Sequence, residues 1–304
     1  MANLIQCQRE KARFRATSKA AKYPERLWIA FRSVPCYDPE VTQNTTWNMN
    51  TMRSLRSLFP LVTLVLFASF NLPANAAEKQ VTFIIAEDEY KASESLPAFS
   101  QTHLAKSDGF KTTFLYQDGE NKYSIPGMEK LSEADLVVMY VRRRSLPEKD
   151  MQHFRDYLAS GKPLLALRTS SHAWDTRGRG PANQAEWKTF DPEVLGGNYH
   201  GHHGNEIESR ISVVPGMEKH PILAGVNIAS LVGKGSLYKA APLEVQAQVL
   251  LIGTIPNQPA EPILWHHRYG QSHIVYTSLG HVGDFAQKDF KRLLRNTIDF
   301  LLAN

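Results

Sequence analysis

Carboxylate, guanidinium, hydroxyl and imidazole groups recur in this sequence directly after short apolar runs. Glu87-Asp88-Glu89-Tyr90 follows Val81–Ala86, and Arg142-Arg143-Arg144 follows the run 135–140. Arg168-Thr169-Ser170-Ser171-His172-Ala173-Trp174 follows 163–167, and Gly280-His281 follows 273–278. Apolar, β-branched runs of this length suit strands buried on both faces. Where such strands run parallel, ligands bind at their carboxyl ends. All four polar groups then meet along one edge. Their mixture suits a small, neutral ligand rich in hydroxyls or carrying a carbonyl. Each group taken alone reads equally well as a solvated loop end.

Histidine titrates nearest neutral pH, so His281 is a candidate general acid or base. Arg168 suits stabilisation of negative charge developing on a carbonyl or enolate oxygen. One of the three adjacent arginines is expected to turn inward and pair with an acid such as Glu89, with Arg142 as the candidate. No pair of acids stands out for two-carboxylate glycoside hydrolysis. The densest cluster is Tyr199-His200-Gly201-His202-His203-Gly204-Asn205-Glu206. His200 and His202 on an extended segment share a face that a divalent metal ion can use. Glu206 or His281 would complete three ligands and leave a position open. The other reading is a glycine-rich loop whose histidines bond the site wall or its ligand. His266 and His267 fall on opposite faces of a strand, so at most one serves a site.

The elements that position these groups follow a strand–helix–strand rhythm. Strands are expected at 81–86, 111–116, 135–140 and 163–167. A first helix has Ser95 as its cap, with Leu96, Phe99, His103 and Leu104 at helical spacing. Ser145-x-x-Glu148 reads as a capping box for a second, which buries Met151, Phe154 and Leu158 and stops at Gly161. Residues 173–206 are irregular apart from a short helix near 187–195, as in a binding loop or lid. Strands return at 207–214, 245–254, 262–267 and 273–278. A last helix at 289–302 carries an apolar stripe of Phe290, Leu293, Leu294, Ile298 and Leu301. The expected fold class is α/β: a doubly wound, mostly parallel sheet with helices on both faces.

Charge is unevenly placed. Residues 1–76 carry a formal charge of +6 and residues 77–304 carry −1. The basic character lies in the first quarter, so no basic field is left to steer a polyanion and nucleic acid is excluded as a partner. Residues 52–76 read as a secretory signal peptide. Arg53 and Arg56 precede the apolar run 58–70, and Ala74-Asn75-Ala76 places cleavage before Ala77. That run is too short to span ~30 Å of hydrocarbon as a helix, so no stable membrane insertion is expected after cleavage. The expected product is an exported domain, 77–304, in the periplasm or secreted. Residues 1–51 read as a misplaced start or an extra leader. Both cysteines, Cys7 and Cys36, precede Met52, so the exported chain has no disulfide, thiolate ligand or cysteine nucleophile.

The order of these segments resembles the ThuA-like, or trehalose-utilisation, family. The matching stretches are PLLALRTSSHAW (163–174), LGGNYHGHHGN (195–205), HPILAGV (220–226), GSLYK (235–239), PILWHHRY (262–269) and YTSLGHVGDF (276–285). That family is similar to the class I glutamine-amidotransferase-like superfamily, which implies a flavodoxin-like fold. In the amidotransferases a cysteine follows the apolar pair of the strand before the nucleophile elbow. Here Arg168 follows Ala166-Leu167, and arginine cannot attack a carbonyl. The resemblance makes His281 the counterpart of the amidotransferase histidine. It implies a sugar ligand, or an oxidised (keto) disaccharide derivative, with hydrolysis or elimination at the glycosidic bond. On that basis Arg168, His172 and His281 are the catalytic group. Glu89 and His172 would orient hydroxyls, Trp174 or Tyr238 would stack on a sugar ring, and Tyr90, Arg142 and Ser170 complete the binding set. A divalent metal at His200 and His202 would act as a Lewis acid. The alternatives are a non-catalytic carbohydrate-binding or scaffold protein, and a degenerate amidotransferase subunit.

Overall fold

A computed structural model of the chain describes residues 78–105, 108–205 and 207–304. The signal peptide, the cleavage position, both cysteines and Glu206 therefore lie outside the described residues. In chain order the elements are β1 (Lys79–Ala86), α1 (Ala92–His103), β2 (Phe110–Tyr116), β3 (Leu136–Val141), α2 (Glu148–Ala159), β4 (Leu164–Leu167), β5 (His202–His203), β6 (Ser209–Val213), β7 (Val232–Gly233), β8 (Leu237–Tyr238), β9 (Gln248–Thr254), β10 (Glu261–Tyr269), β11 (Ser272–Thr277) and α3 (Lys288–Ala303).

Among the described residues, nine strands form one mixed sheet in the order β2-β1-β3-β4-β11-β10-β9-β6-β7. From β2 to β11 every pairing is parallel. From β11 to β7 every pairing is antiparallel. The expectation of a mostly parallel sheet thus holds for one half only. The reason is local. Only Gly270-Gln271 separates β10 from β11, and so short a link allows a hairpin but not the crossover that parallel pairing requires.

Side chains alternate across β1. Val81, Phe83 and Ile85 face α1 and α3, packing with Leu96, Phe99, Phe290, Leu293, Leu294 and Ile298. Ile84 and Ala86 face the other way, into the layer of Met151, Phe154 and Leu158 from α2. Each large apolar side chain buried this way contributes roughly 1.5–3 kcal/mol of transfer free energy. No helix of the described residues is long and apolar enough to cross a membrane.

Two helix starts differ from the sequence reading. α1 begins at Ala92, three residues before Ser95. The carboxylate of Glu87 supplies the acceptor there, taking the N–H of Ala92 at 2.7 Å. α2 begins after Pro147 with no side-chain cap. Ser145 instead donates its hydroxyl to Gln184 Oε1 at 2.9 Å, which ties down the irregular stretch. Within that stretch the expected helix at 187–195 is a single wide turn, Asp191–Leu195. β5 then pairs with β8, His202 opposite Tyr238, so the histidine-rich segment is bound to the segment that carries Tyr238.

Candidate functional site

β4 and β11 lie side by side in parallel, with Leu167 opposite Thr277. The chain therefore leaves both strands at the same edge. Arg168 is the first residue after β4 and has a left-handed φ of 45°. That conformation costs a non-glycine residue roughly 1–2 kcal/mol and persists where its surroundings over-determine it. Here they do. The Tyr276 hydroxyl donates to the Arg168 carbonyl at 2.7 Å. The Ser170 hydroxyl donates to Met139 O at 3.0 Å and accepts from Val141 N at 3.2 Å, which locks the turn to β3.

The Arg168 side chain is 2% exposed. Nη1 donates to Ser278 O at 3.0 Å, and Nη2 reaches the Tyr90 hydroxyl at 3.4 Å. Nε has no partner. The guanidinium lies over the rings of Tyr90 and Tyr238, 4.3 and 4.9 Å from their centroids. No carboxylate of the described residues lies within ion-pair distance of it. Burial opposes its charge, and the phenols of Tyr238, Tyr140 and Tyr90 more than offset that, so it stays firmly protonated. A buried cation held by ring faces and one carbonyl still has capacity for an incoming oxygen. Nε, which has no partner, and Nη2, whose bond to Tyr90 is long, are the donors with spare capacity.

Gly235 makes room for this guanidinium, since a Cβ there would run into Nη2 and Cζ of Arg168. Gly235→Ala is expected to push the guanidinium aside. Overpacking of this kind destabilises by roughly 1–3 kcal/mol. Ligand binding should fall by more than that loss of stability explains, and denaturant melts paired with binding titrations check both.

His281 stands at the same edge, after β11. Gly280 N and His281 N both donate to Asp284 Oδ2, at 2.8 and 2.9 Å. Asp284 Oδ1 takes Lys234 N at 2.8 Å. Burial raises the pKa of this carboxyl against those backbone donors. The Tyr140 hydroxyl holds Gly280 O at 3.0 Å. The His281 ring meets Tyr90 edge-on, with centroids 5.6 Å apart. Tyr90 is therefore in contact with both Arg168 and His281. Glu87 places it, through backbone N–H bonds from Glu89 at 2.6 Å and Tyr90 at 2.7 Å.

Nδ1 of His281 accepts the N–H of Gly283 at 3.1 Å. A neutral ring so held carries its proton on Nε2 and is a donor. Service as a base would need that proton on Nδ1, where the Gly283 N–H stands. The arrangement suits a neutral imidazole that polarises a carbonyl, as opposed to a base.

The remaining expected site residues separate into two groups. The arginine that turns inward is Arg144, whereas Arg142 pairs with Glu89 at 2.5 Å on the half-exposed rim. Arg143 pairs with Asp175 at 3.7 Å, and buried Arg144 pairs with Asp88 at 2.7 Å. His172 is nearly buried and stacks on Tyr199, centroids 4.5 Å apart. Burial, and then Arg143, Arg142, Arg177 and Arg168, hold its pKa well below the usual value, so it is neutral at pH 7.

Ser170, Trp174 and Tyr238 are placed differently from a set of exposed binding groups. Ser170 is fully buried with its hydroxyl committed to β3, so it does not face a ligand. Trp174 is fully buried, with Phe154 and Phe190 centroids 5.6 and 6.5 Å away, and forms part of the wall of a neighbouring cleft, where its Nε1 has no partner. Tyr238 has its ring taken up by Arg168 and by Tyr199, whose centroid is 4.7 Å away, so it is a wall and not a stacking platform.

The histidine cluster points in two directions. His200 and His202 are exposed, with Nδ1 bonded to Asn198 O at 2.7 Å and Gly204 O at 2.9 Å. His203 turns inward to Glu261 at 3.1 Å. Among the described residues no three metal-binding side chains come together.

Near the Arg168 cluster lies a cleft of about 210 Å³ whose walls include Arg143, His172, Asp175, Arg177, Asp191 and Tyr199. Tyr238 links the two, since its ring meets Arg168 as well as Tyr199 and His172. Asp191 carries no signal in the sequence beyond the start of a short turn. Its Oδ2 accepts Tyr199 N at 2.6 Å, while Oδ1 is buried without a partner. Burial lifts its pKa to about 7 against that one bond. Asp284 and Glu87, which place His281 and Tyr90, were also missed. Both stand inside motifs quoted above, but a carboxylate that caps a loop has no spacing of its own.

Comparison with known proteins agrees with this architecture. Residues 80–301 match the model of the ThuA family, described as trehalose utilisation. No curated protein matches the chain. A ThuA-like protein from Bacteroides uniformis ATCC 8492 superimposes with a TM-score of 0.56 at 19% identity, over 75% of this chain and 94% of that one. A ThuA-like protein from Parabacteroides merdae ATCC 43184 gives 0.57 at 17% identity, over 74% and 90%. At such identities these structures speak for the fold alone. With the family model spanning nearly all of the described residues, the chain belongs to the ThuA, or trehalose-utilisation, family.

Proposed function

We propose that this is an exported enzyme of the flavodoxin-like, doubly wound type, acting on a sugar or a keto-disaccharide by hydrolysis or elimination at the glycosidic bond. The observation that carries the reading is the contact of Tyr90 with both Arg168 and His281 at one sheet edge. A buried guanidinium and a half-buried imidazole in contact with one tyrosine suit an oxygen that gains negative charge.

In an elimination, a base removes the hydrogen from the carbon beside the ketone. The electron pair passes to the ketone oxygen, and Arg168 with Nε2–H of His281 stabilises that enolate. The enolate then expels the glycosidic oxygen, which takes up the proton from the base. Addition of water across the resulting unsaturated ketone completes net hydrolysis. His172, neutral and on the cleft wall, is the proton acceptor in this scheme. The flavodoxin-like description rests on the parallel order β2-β1-β3-β4-β11, with α1 and α3 on one face and α2 on the other.

A binding protein without turnover is the second reading. It is favoured by the Gly283 bond to His281 Nδ1, which removes the obvious base. His281→Ala separates the two. Release of free sugar from a keto-disaccharide should fall by roughly 10²–10³-fold, with the ligand still bound in equilibrium titrations. Binding without any turnover by the unmodified protein would leave the second reading.

A further inference from the structure

The sequence reading pointed to a neutral ligand, and the arginines of the cleft point elsewhere. Among the described residues, five non-glycine positions have left-handed φ, and three of them are Arg143 (52°), Arg168 (45°) and Arg177 (55°). Backbone strain gathers where function needs a side chain aimed in one direction. Here it aims three guanidiniums at one locality, since Arg143 and Arg177 line the cleft and Arg168 lies behind Tyr238.

The cleft wall also carries Asp175 and Asp191, with burial disfavouring the charged form of Asp191, so the guanidiniums are only partly matched. Arg143 has Asp175 at 3.7 Å, the long end of an ion pair. Arg177 is exposed and makes no ion pair with any described carboxylate, and neither does Arg168. Lys188, also on the cleft wall, is engaged by Glu186 at 3.1 Å. The imidazole of His172, on the same wall, is acted on by the guanidiniums of Arg143, Arg142, Arg177 and Arg168 together. A concave, partly enclosed site with surplus positive charge concentrates anions. Arginine's planar fork matches the two oxygens of a carboxylate or phosphate.

We infer that this cleft is an anion subsite, in which Arg143 and Arg177 receive a carboxylate or phosphate group carried by the sugar. The inference deepens the saccharide reading above and rests on it for the sugar part of the ligand. The acidic group would lie against Arg177, with the sugar ring beside Tyr199 and the remainder of the molecule directed past Tyr238 towards Arg168.

Titration calorimetry of the full chain with glucuronate, glucose 6-phosphate, glucose and inorganic phosphate tests this. At least one of the two acidic sugars should bind about tenfold or more tightly than glucose, as expected for one charge-assisted contact. Which of the two binds better decides between carboxylate and phosphate. Arg177→Gln should bring that acidic sugar down to the level of glucose and leave glucose unchanged. The advantage should also vanish at ~1 M NaCl, where the screening length falls to about 3 Å. Glucose binding as well as both acidic sugars, or an acidic-sugar advantage that survives both Arg177→Gln and high salt, would overturn the subsite. Inorganic phosphate binding as tightly as glucose 6-phosphate would uphold the anion subsite and defeat the sugar reading.

Discussion

Replacing Arg168 by methionine should cut turnover by roughly 10²–10³-fold and leave the fold intact. The guanidinium is buried without a carboxylate partner, so its removal strands no opposite charge. Methionine is unbranched and fills much of the same space between Tyr90 and Tyr238. The left-handed φ remains, as does the Tyr276 hydroxyl bond to the backbone carbonyl, because neither depends on the side chain. What is lost is a desolvated cation and its single carbonyl contact, Ser278 O. Buried charges are frequently neutral or unfavourable for stability beside apolar groups of similar volume. The melting temperature of Arg168→Met should therefore match or exceed that of the unmodified protein. Removal of one preorganised donor from a site that stabilises an oxyanion costs roughly 10²–10³ in rate. Turnover of a keto-disaccharide should fall by that factor. A variant that melts normally and still turns over would show that Arg168 is structural only.

Replacing Asp191 by asparagine makes stability less dependent on pH. The ordinary carboxyl pKa is 3.8 and the folded value is about 7, raised by burial. A raised acid pKa means that the folded state holds its proton more tightly than the unfolded state does. Native stability consequently declines as pH rises from about 4 to about 7 and is level above that. The shift corresponds to up to ~4 kcal/mol at pH 8. Asparagine stands in for the protonated acid, keeps an oxygen for Tyr199 N, and does not ionise. Asp191→Asn should match the unmodified protein near pH 4 and exceed it by several kcal/mol at pH 8. Urea melts at the two pH values read this directly. A gap that does not open with pH would mean that Asp191 ionises without penalty and is not sealed in the cleft wall.

Much of the site was legible in the sequence because it follows from strand ends. The apolar runs that became β1, β3, β4 and β11 marked where the chain turns polar, and that logic singled out Arg168 and His281, which the structure places at one sheet edge. The Arg142–Glu89 pair followed from charge alone. The antiparallel half was not legible, because a continuous apolar strand reads the same in either direction. It was decided by the short Gly270-Gln271 link, a detail of loop length. Ser170 and Trp174 both lie deeper than their residue types suggest, for a common reason. Residue type indicates what a side chain can do, but the facing side of a tight turn is set by its hydrogen bonds. Ser170 turns back to β3, and Trp174 turns into the layer beneath α2. Asp191 was invisible because only the surrounding fold buries it.

Arg168 and His281 are expected to act on the same bound molecule. The most direct measurement is turnover of a keto-disaccharide by Arg168→Met, by His281→Ala and by the double variant. Groups that stabilise one oxyanion act as a unit, and their losses are strongly non-additive. The double variant should be no slower than the slower single variant, within about threefold. Losses that multiply, with the double variant slower by the product of the two single effects, would place the two residues in separate roles and contradict a shared site.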